Sequence, residues 1–303
     1  MAALKEPSPQ IWERVNREYV AFYQRILEEG QHQPSRYGDS VEALNQQFAF
    51  RAGAVLARRG QNLKIGWVEL IQLIGGMYDP EAYGRYAPKS GLSLFTREMA
   101  YGPRTIGEIP GIIDTLRRDP DNRQCVLFIG RQGQEGTPSL PCTVCLQFLL
   151  RRPATAGHDR ENGPAQSTDA AAHEPLLLHC NVFMRSLDVV LGLPVDVIMF
   201  GGLTRAMASC LGAVPGKVTI TAGSAHIYRA TMVWGKVPLH PGPIRSFSLT
   251  DEQHAPTNWR AWIKRAIDDA DWSWSDCPPL VQLRQHGRSE LTKPRLAGSP
   301  DAH

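Results

Sequence analysis

One apolar segment in the second half of the chain constrains the fold more than any other. It reads "RSLDVVLGLPVDVIMFGGLTRAMASCLG", with Pro194 at a first helical position and Gly212 after the last one. A proline and a glycine at these places are typical of the two ends of a helix. The apolar residues between them recur at helical spacing: Val195, Ile198, Leu203 and Leu211. The pattern predicts a helix over residues 195–211, between two apolar runs, 176–184 and 217–221, that read as strands.

Other parts of the chain predict the same mixture of helices and strands. Apolar positions at helical spacing predict amphipathic helices over residues 11–29 and 258–270, and short apolar runs at 125–129 and 142–150 read as buried strands. Strands and helices do not alternate strictly, and no glycine-rich phosphate loop follows a strand, so a Rossmann or P-loop fold is disfavoured. The sequence therefore predicts one mixed α/β domain.

A single charged residue, Glu69, interrupts a second apolar segment at residues 67–74. A carboxylate in such a segment either faces solvent or is buried for a reason. Carboxylates are rarely buried without a partner. Periodicity alone therefore favours a Glu69 side chain on the solvent side of its helix.

Length and composition fit one domain that spans residues 1–303. A chain of 303 residues can bury roughly 75% of its unfolded surface and needs no disulfide or metal to form a core. Residues 152–175 have no period and read as a flexible surface insertion. Residues 285–303 read as a disordered tail.

Charge and hydropathy exclude several function classes. With 33 Lys and Arg against 30 Asp and Glu, the net charge of +3 is too small for the basic stripe of a nucleic-acid protein. No apolar run approaches the roughly 20 residues of a membrane span. The first ten residues lack the apolar core of a signal peptide. We therefore expect a cytoplasmic protein whose six cysteines are reduced thiols.

The spacing of Cys142 and Cys145 admits several kinds of chemistry. A C-x-x-C pair occurs in zinc sites, dithiol redox motifs and zinc deaminases. A deaminase needs an upstream H-x-E, but no histidine occurs between His32 and His158. A second cysteine pair is also missing, and two residues three apart on a strand point to opposite faces. We expect no metal, and Cys142 is either a buried thiol or a lone nucleophile.

Three strings resemble the thymidylate synthase superfamily in order and spacing: "SLPCTVCLQF", "VFMRSLDVVLGLPVDV" and "PGKVTITAGSAHIY". Weaker likenesses upstream are "SRYGD", "VELIQLIGG", "AYGPR" and "RRDPDNRQ". The resemblance implies a single α/β (α+β) domain with a mixed sheet flanked by helices. It also implies a homodimer that packs sheet to sheet, with Arg123 reaching across the interface to the partner's phosphate site.

The resemblance implies covalent chemistry on a pyrimidine nucleotide. The thiolate of Cys142 would add to C6 and turn C5 into a carbon nucleophile. Glu69, against its periodicity, would be a buried carboxylate that handles protons through water at the base. Asp188 would orient the pterin of 5,10-methylenetetrahydrofolate, the co-substrate.

The resemblance also implies how the rest of the nucleotide is held. Arg36, Arg185 and Ser186 would bind the phosphate, and the permanent charge of Arg185 would favour the thiolate of the nucleophile. His226 and Tyr228 would hold the sugar hydroxyl.

Two departures from the synthase pattern resemble the cytidylate hydroxymethylases of the superfamily. Asp196 stands where the synthases have an Asn that reads uracil, and a carboxyl group accepts from the C4 amine of cytosine. Tyr101-Gly102 is followed by Pro103 and Arg104, without the Trp that shields the exocyclic methylene from water. The implied reaction converts dCMP or CMP, methylenetetrahydrofolate and water to 5-hydroxymethyl-(d)CMP and tetrahydrofolate.

Alternatives remain open on the sequence. A divergent thymidylate synthase would methylate dUMP, and a homologue without activity would only bind nucleotides. An Asp in the first turn of a helix is favoured by the helix dipole whatever its function, which gives Asp196 a purely structural interpretation. The sequence does not distinguish CMP from dCMP.

Overall fold

The computed structural model describes residues 9–54, 56, 64–75, 78, 80–84, 95–105, 108–131, 139–153 and 175–235. The helices in this part of the chain are α1 (Pro9–Glu29), α2 (Lys64–Gly75), α3 (Pro80–Gly84), α4 (Gly102–Thr105), α5 (Glu108–Arg118), α6 (Leu193–Leu211) and α7 (Arg229–Gly235). The strands are β1 (Gln31–Gln33), β2 (Ser40–Arg51), β3 (Val126–Phe128), β4 (Thr143–Arg151), β5 (Leu177–Asp188) and β6 (Val214–Tyr228).

The strands form one mixed sheet in the order β1-β2-β6-β5-β4-β3. Every neighbouring pair is antiparallel except β5 and β6, which run parallel. Parallel neighbours need a crossover, because a tight hairpin joins only antiparallel strands. Helix α6 is that crossover, so it packs on the two central strands.

The core lies between the sheet and the helices that cover it. Helix α6 is apolar nearly all round, with Phe200 and Leu203 inaccessible to solvent, and it packs against α2 as well as the sheet. Small residues allow this approach: a Cβ on Gly202 would lie 2.3 Å from a Leu70 methyl carbon, and one on Gly66 would lie 2.9 Å from the Ile198 Cβ. The close α2–α6 contact sets the spacing of the residues that these helices bring to the site.

The predicted fold class is confirmed, and so are most of the predicted elements. Helix α1 covers the predicted range 11–29, and α6 covers 195–211 and ends before Gly212, whose φ of 65° is the left-handed conformation that glycine adopts at helix ends. Strands β5 and β6 extend beyond their predicted ends at 184 and 221. The pattern stopped at the first polar residues, whereas backbone pairing continues through Asp188 and His226.

Strand β2 was missed by the sequence analysis. It pairs with β6 from Ser40 to Arg51, but it carries Gln46 and Gln47 in the middle and has Asn45 at a φ of 53°. Polar residues on a strand face that is only partly buried remove the alternation by which strands are recognised. The missed strand adds one flank of the site.

Some expectations fall outside the described residues. They are the helix at 258–270, the tail at 285–303 and residues 154–174 of the predicted insertion. Within the described ranges, no helix is long and apolar enough to cross a membrane, and no group of three His, Cys, Asp or Glu residues could hold a metal ion.

Candidate active site

A cavity of about 200 Å³ opens where α2, α6 and the segment before α4 meet the start of β4. Its walls combine a thiol, a carboxyl group, aromatic rings and aliphatic side chains. They include Glu69, Tyr83, Phe95, Tyr101, Cys142 and Met199. The cavity thus brings together Cys142 and Glu69, two residues 73 positions apart in the sequence (142 − 69).

Cys142 lies immediately before β4 and is held there by Arg185 of β5. The Arg185 backbone N–H donates to the Cys142 carbonyl oxygen over 2.8 Å. The guanidinium donates to the carbonyl oxygens of Pro141 (3.1 Å) and Leu140 (2.7 Å), and one of its nitrogens lies 4.0 Å from the Cys142 sulfur. Arg185 therefore fixes the segment that carries the thiol and places a cation beside it.

Burial and neighbouring charges act on the thiol of Cys142 in different directions. Burial raises its pKa, the cation of Arg185 opposes that rise, and the carboxyl groups of Asp196, Asp188 and Glu69 add to it. The predicted influence of Arg185 has the expected direction, but it does not outweigh burial. The net effect on the Cys142 thiol is a pKa above the usual range of a cysteine.

Cys145 occupies a different environment from Cys142. The register of β4 shifts between Thr143 and Cys145, and Cys145 then pairs with Phe128 on one side and Phe183 on the other. Phe128 and Phe183 are 58% and 40% exposed. Cys145 is thus part of the sheet and is not among the residues that line the cavity.

Glu69 lies on the cavity side of α2, so the solvent-facing placement favoured by periodicity is wrong. Burial raises the pKa of its carboxyl to about 7, and a hydrogen bond from Tyr83 acts in the opposite direction. Periodicity could not show this, because α6, which covers α2, comes more than a hundred residues later. A carboxyl group that titrates near neutral pH can both accept and donate protons.

Asp196 in the first turn of α6 is buried, with 8% of its surface exposed. Burial raises the pKa of its carboxyl well above the usual range, and the nearby Glu69 and Asp188 act in the same direction. Asp196 in turn affects the pKa values of Cys142 and Tyr101. Within the described part of the chain its side chain makes no hydrogen bond. The helix dipole favours the ionised form of an Asp in the first turn, whereas burial here raises the pKa and favours the neutral form.

Asp188 lies at the other end of the turn that leads into α6. Its Oδ1 accepts hydrogen bonds from the backbone N–H groups of Val190 (2.8 Å) and Leu191 (2.9 Å). These bonds close the turn, as aspartates do in many Asx turns. Asp188 therefore has a structural task whatever else it binds.

Several polar side chains lie beside the cavity, at the ends of β2, β5 and β6. Glu42, His226 and Asp188 occupy matching register positions on these adjacent strands. The Ser186 hydroxyl lies 3.5 Å from His226 Nδ1, and the His226 and Tyr228 rings meet edge to face at 4.8 Å. The sheet thus collects Ser186, His226 and Tyr228, which the sequence placed at the phosphate and the sugar.

The remaining two arginines lie on the surface. Arg36 is exposed, with its guanidinium carbon 4.9 Å from the centre of the Tyr37 ring, and the adjacent Ser35 hydrogen-bonds to Tyr228. Arg123 is exposed in the turn between α5 and β3, and its carbonyl oxygen accepts from Gln147. In the described part of the chain the Arg123 side chain makes no hydrogen bond or ion pair. Within one chain, therefore, Arg36 lies near Tyr228, whereas Arg123 lies apart from the other candidate site residues.

Tyr101 and Thr143 are site residues that the sequence analysis did not single out. The Tyr101 hydroxyl lies 3.0 Å from the Thr143 hydroxyl and accepts from the Thr143 N–H at 3.4 Å. Burial raises the Tyr101 pKa, and the nearby Cys142 raises it further. The motif "AYGPR" was the available signal for Tyr101. That motif does not predict Thr143 as the hydrogen-bond partner of Tyr101.

A comparison with protein families agrees with this geometry. The family model for thymidylate synthase matches residues 81–255, more than half of the chain. The chain belongs to the thymidylate synthase family. The match includes Cys142, Arg185, Asp196, His226 and Tyr228, while Arg36 and Glu69 precede it.

Membership of the thymidylate synthase family establishes the general chemistry. The chain is a one-carbon transferase, and the family uses methylenetetrahydrofolate to transfer one carbon to C5 of a pyrimidine nucleotide. The rings of Tyr83 and Phe95 are nearly parallel with centres 4.0 Å apart, and both line the cavity.

Proposed function

We propose that this protein hydroxymethylates C5 of a cytosine nucleotide. The nucleotide and water would react with methylenetetrahydrofolate to give the 5-hydroxymethyl nucleotide and tetrahydrofolate. The observation that carries the proposal is the buried Asp196 carboxyl, which has no hydrogen-bond partner in the described residues and whose pKa burial raises, a shift that favours the neutral form.

A neutral carboxyl group matches the edge of cytosine. Its carbonyl oxygen accepts from the C4 amine, and its hydroxyl donates to the unprotonated N3. Uracil instead presents an oxygen at C4 and an N–H at N3, and the same carboxyl group would match them only with its proton on the oxygen that faces C4, so selection requires that the site keep the proton on the oxygen that faces N3. A buried mismatch of this type costs roughly 1 to 3 kcal/mol. Asp196 would therefore select cytosine over uracil.

Cys142 and Glu69 would carry the chemistry at the base. The Cys142 sulfur forms a bond to C6, its proton leaves, and the electron pair of the C5–C6 double bond becomes available at C5 for the one-carbon unit. Loss of the C5 proton, together with breakage of the bond between the transferred carbon and the tetrahydrofolate nitrogen, would release tetrahydrofolate and leave an exocyclic methylene on C5; water would add to this methylene, and the bond between sulfur and C6 would then break. Glu69, with a pKa of about 7, would exchange protons with water during these steps.

The segment after Tyr101 supports addition of water rather than hydride. The synthase pattern has a Trp there, but this chain has Arg104, which is turned into the protein. Its guanidinium donates to the carbonyl oxygens of Glu98 and, over 2.9 Å, Ile129. Arg104 therefore fills a structural position, and no indole from this segment would cover the methylene.

The polar rim would hold the phosphate and the sugar. Arg36, Arg185 and Ser186 are proposed for the phosphate, and His226 and Tyr228 for the sugar hydroxyl. Asp188 would orient the pterin with the oxygen that the turn does not use.

We further propose a homodimer packed sheet to sheet. The exposed Phe128 and Phe183 next to Cys145 give this sheet face an apolar character, as a dimer interface requires. Arg123, which has no side-chain partner in the described part of one chain, would cross to the phosphate of the partner's site.

Product analysis tests the proposed reaction. The protein is incubated with methylenetetrahydrofolate and CMP, dCMP, UMP or dUMP in turn, and the nucleotide products are weighed by mass spectrometry. A cytosine nucleotide that gains one CH2O unit supports the proposal. A dUMP product that gains one CH2 unit would show a thymidylate synthase instead, and no product from any nucleotide would contradict both.

A further inference from the structure

Tyr83 of α3 lies at the cavity wall between a carboxyl group and an aromatic ring. Its hydroxyl is hydrogen-bonded to Glu69, and its ring stacks on Phe95 with centres 4.0 Å apart and planes inclined by 8°. All three residues line the cavity that contains Cys142. None of the roles described above explains why a tyrosine, rather than a phenylalanine, stands here.

The aromatic stack fixes the direction of the Tyr83 hydroxyl. Phe95 in turn contacts Tyr78. The centres of these two rings lie 5.4 Å apart, and the Tyr78 hydroxyl donates to the Phe95 carbonyl oxygen over 3.1 Å. A ring packed in this way has little freedom, so its hydroxyl is placed by the fold and not by the ligand. The donor aimed at Glu69 is therefore preorganised.

Three further acidic groups lie close to Glu69. Asp196 faces it from α6, Cys142 from the start of β4 and Tyr101 from the segment before α4, and the charge of Glu69 raises the pKa of each. The Tyr83 pKa is itself raised by burial and by Glu69, so Tyr83 keeps its proton when Glu69 ionises. In the described part of the chain, the hydrogen bond from Tyr83 lowers the pKa of Glu69 and so counteracts the effect of desolvation.

We propose that Tyr83 is a positioning residue for the reaction. Its hydroxyl donates a hydrogen bond that holds the Glu69 carboxylate at the cavity wall and keeps it available as a base, while the stack on Phe95 holds the ring. The expected effect of Tyr83 on turnover rests on the proposed function. The hydrogen bond and its effect on the Glu69 pKa can be measured without turnover.

Titration of Glu69 tests the proposal directly. The protein is labelled with glutamate carrying ¹³C at the side-chain carboxyl, and the Glu69 resonance is identified by its loss in Glu69→Gln. Removing the donor in Tyr83→Phe leaves the carboxylate less stabilised, so the Glu69 pKa should rise by roughly one unit. Phenylalanine keeps the stacked ring, so the fold should be unchanged.

Tyr78→Phe is the matched control. It removes a hydroxyl from the same aromatic stack, but that hydroxyl donates to the Phe95 backbone and not to Glu69. The Glu69 titration should be the same as in the unmodified protein. An unchanged titration in Tyr83→Phe, or an equal shift in both variants, would overturn the proposal.

The pH profile of kcat supplies the functional readout. In Tyr83→Phe the acid limb should move upward with the Glu69 pKa, so that activity lost at pH 6 is largely recovered above pH 8. A uniform loss at all pH values would contradict a role through Glu69. If no nucleotide is turned over by the unmodified protein, the proposed function fails, while the titration still decides the assignment of Tyr83.

Discussion

The closed part of the site and its open rim differ sharply in charge. Cys142, Glu69 and Asp196 lie in the closed part, and burial raises the pKa of each toward or above neutrality. The rim carries Arg36 and Arg185, both exposed, and the guanidinium group of an arginine is a permanent cation. A nucleotide has the same division, because its base is uncharged and its phosphate is anionic. The comparison supports our proposal that the closed part carries the chemistry and selects the base while the rim binds the phosphate.

The largest expected effect concerns the nucleophile in the closed part. Cys142→Ser should lower kcat by several orders of magnitude while nucleotide binding, measured by calorimetry, is retained. Cys145→Ser should keep most of the activity, because Cys145 packs in the sheet away from the cavity. Equal losses in the two variants would break the distinction between the two thiols.

Arg123 tests whether the rim is completed by a second chain. Arg123→Ala and Cys142→Ser should each be inactive alone, yet a mixed dimer would contain one site with both intact residues. Unfolding and refolding the two variants together should therefore restore part of the activity. Verified subunit exchange without any recovery would show that Arg123 does not act across the interface.

Asp196→Asn tests base selection in the closed part. An amide can donate to O4 and accept from N3–H of uracil, so the ratio of kcat/KM for cytosine to uracil nucleotides should fall about tenfold to a hundredfold. If Asp196 served only as a helix-terminal charge, the ratio would stay constant and stability would change by at most about 1 kcal/mol. An unchanged ratio would remove the main support for a cytidylate enzyme.

A smaller effect is expected where the rim meets the closed part. Arg185→Gln removes the cation near the Cys142 sulfur, so the thiol pKa should rise further above its usual range. Alkylation of Cys142 by iodoacetamide at neutral pH, followed by peptide mass spectrometry, should slow about threefold to tenfold. Arg185→Lys keeps the charge and should keep most of the rate. Since burial already raises this pKa, the rate should still be climbing above pH 9 in every variant.

The two parts of the site were not equally predictable from the sequence. The motif strings gave Cys142, Arg185, Asp196, His226 and Tyr228 as candidates, because each belongs to a run of neighbours that carries the resemblance. Periodicity alone placed Glu69 in solvent, because the surroundings of a side chain are set by segments far away in the chain, whereas the resemblance of "VELIQLIGG" implied a buried carboxylate at this position.

The same limit applies to the fold. Helices α1 and α6 have apolar faces that repeat over many turns, and such faces are visible in any window of sequence. Strand β2 has no such signal, because its position is fixed by pairing with β6, about 170 residues later. The hydrogen bonds of Tyr83 with Glu69 and of Thr143 with Tyr101 likewise join separate elements, 14 (83 − 69) and 42 residues apart in the sequence, and neither could be predicted from residue type.

The smallest expected effect separates the two roles of Asp188, which lies between the closed part and the rim. Asp188→Ala removes the acceptor of two backbone N–H groups and should cost about 1 kcal/mol of stability, as loss of a capping side chain does. Asp188→Asn keeps an oxygen for those groups, so its urea midpoint should stay close to that of the unmodified protein. If Asp188 also orients the pterin, the Asn variant should show a higher KM for methylenetetrahydrofolate with an unchanged KM for the nucleotide. An Asn variant with normal values for both substrates would confine Asp188 to the turn.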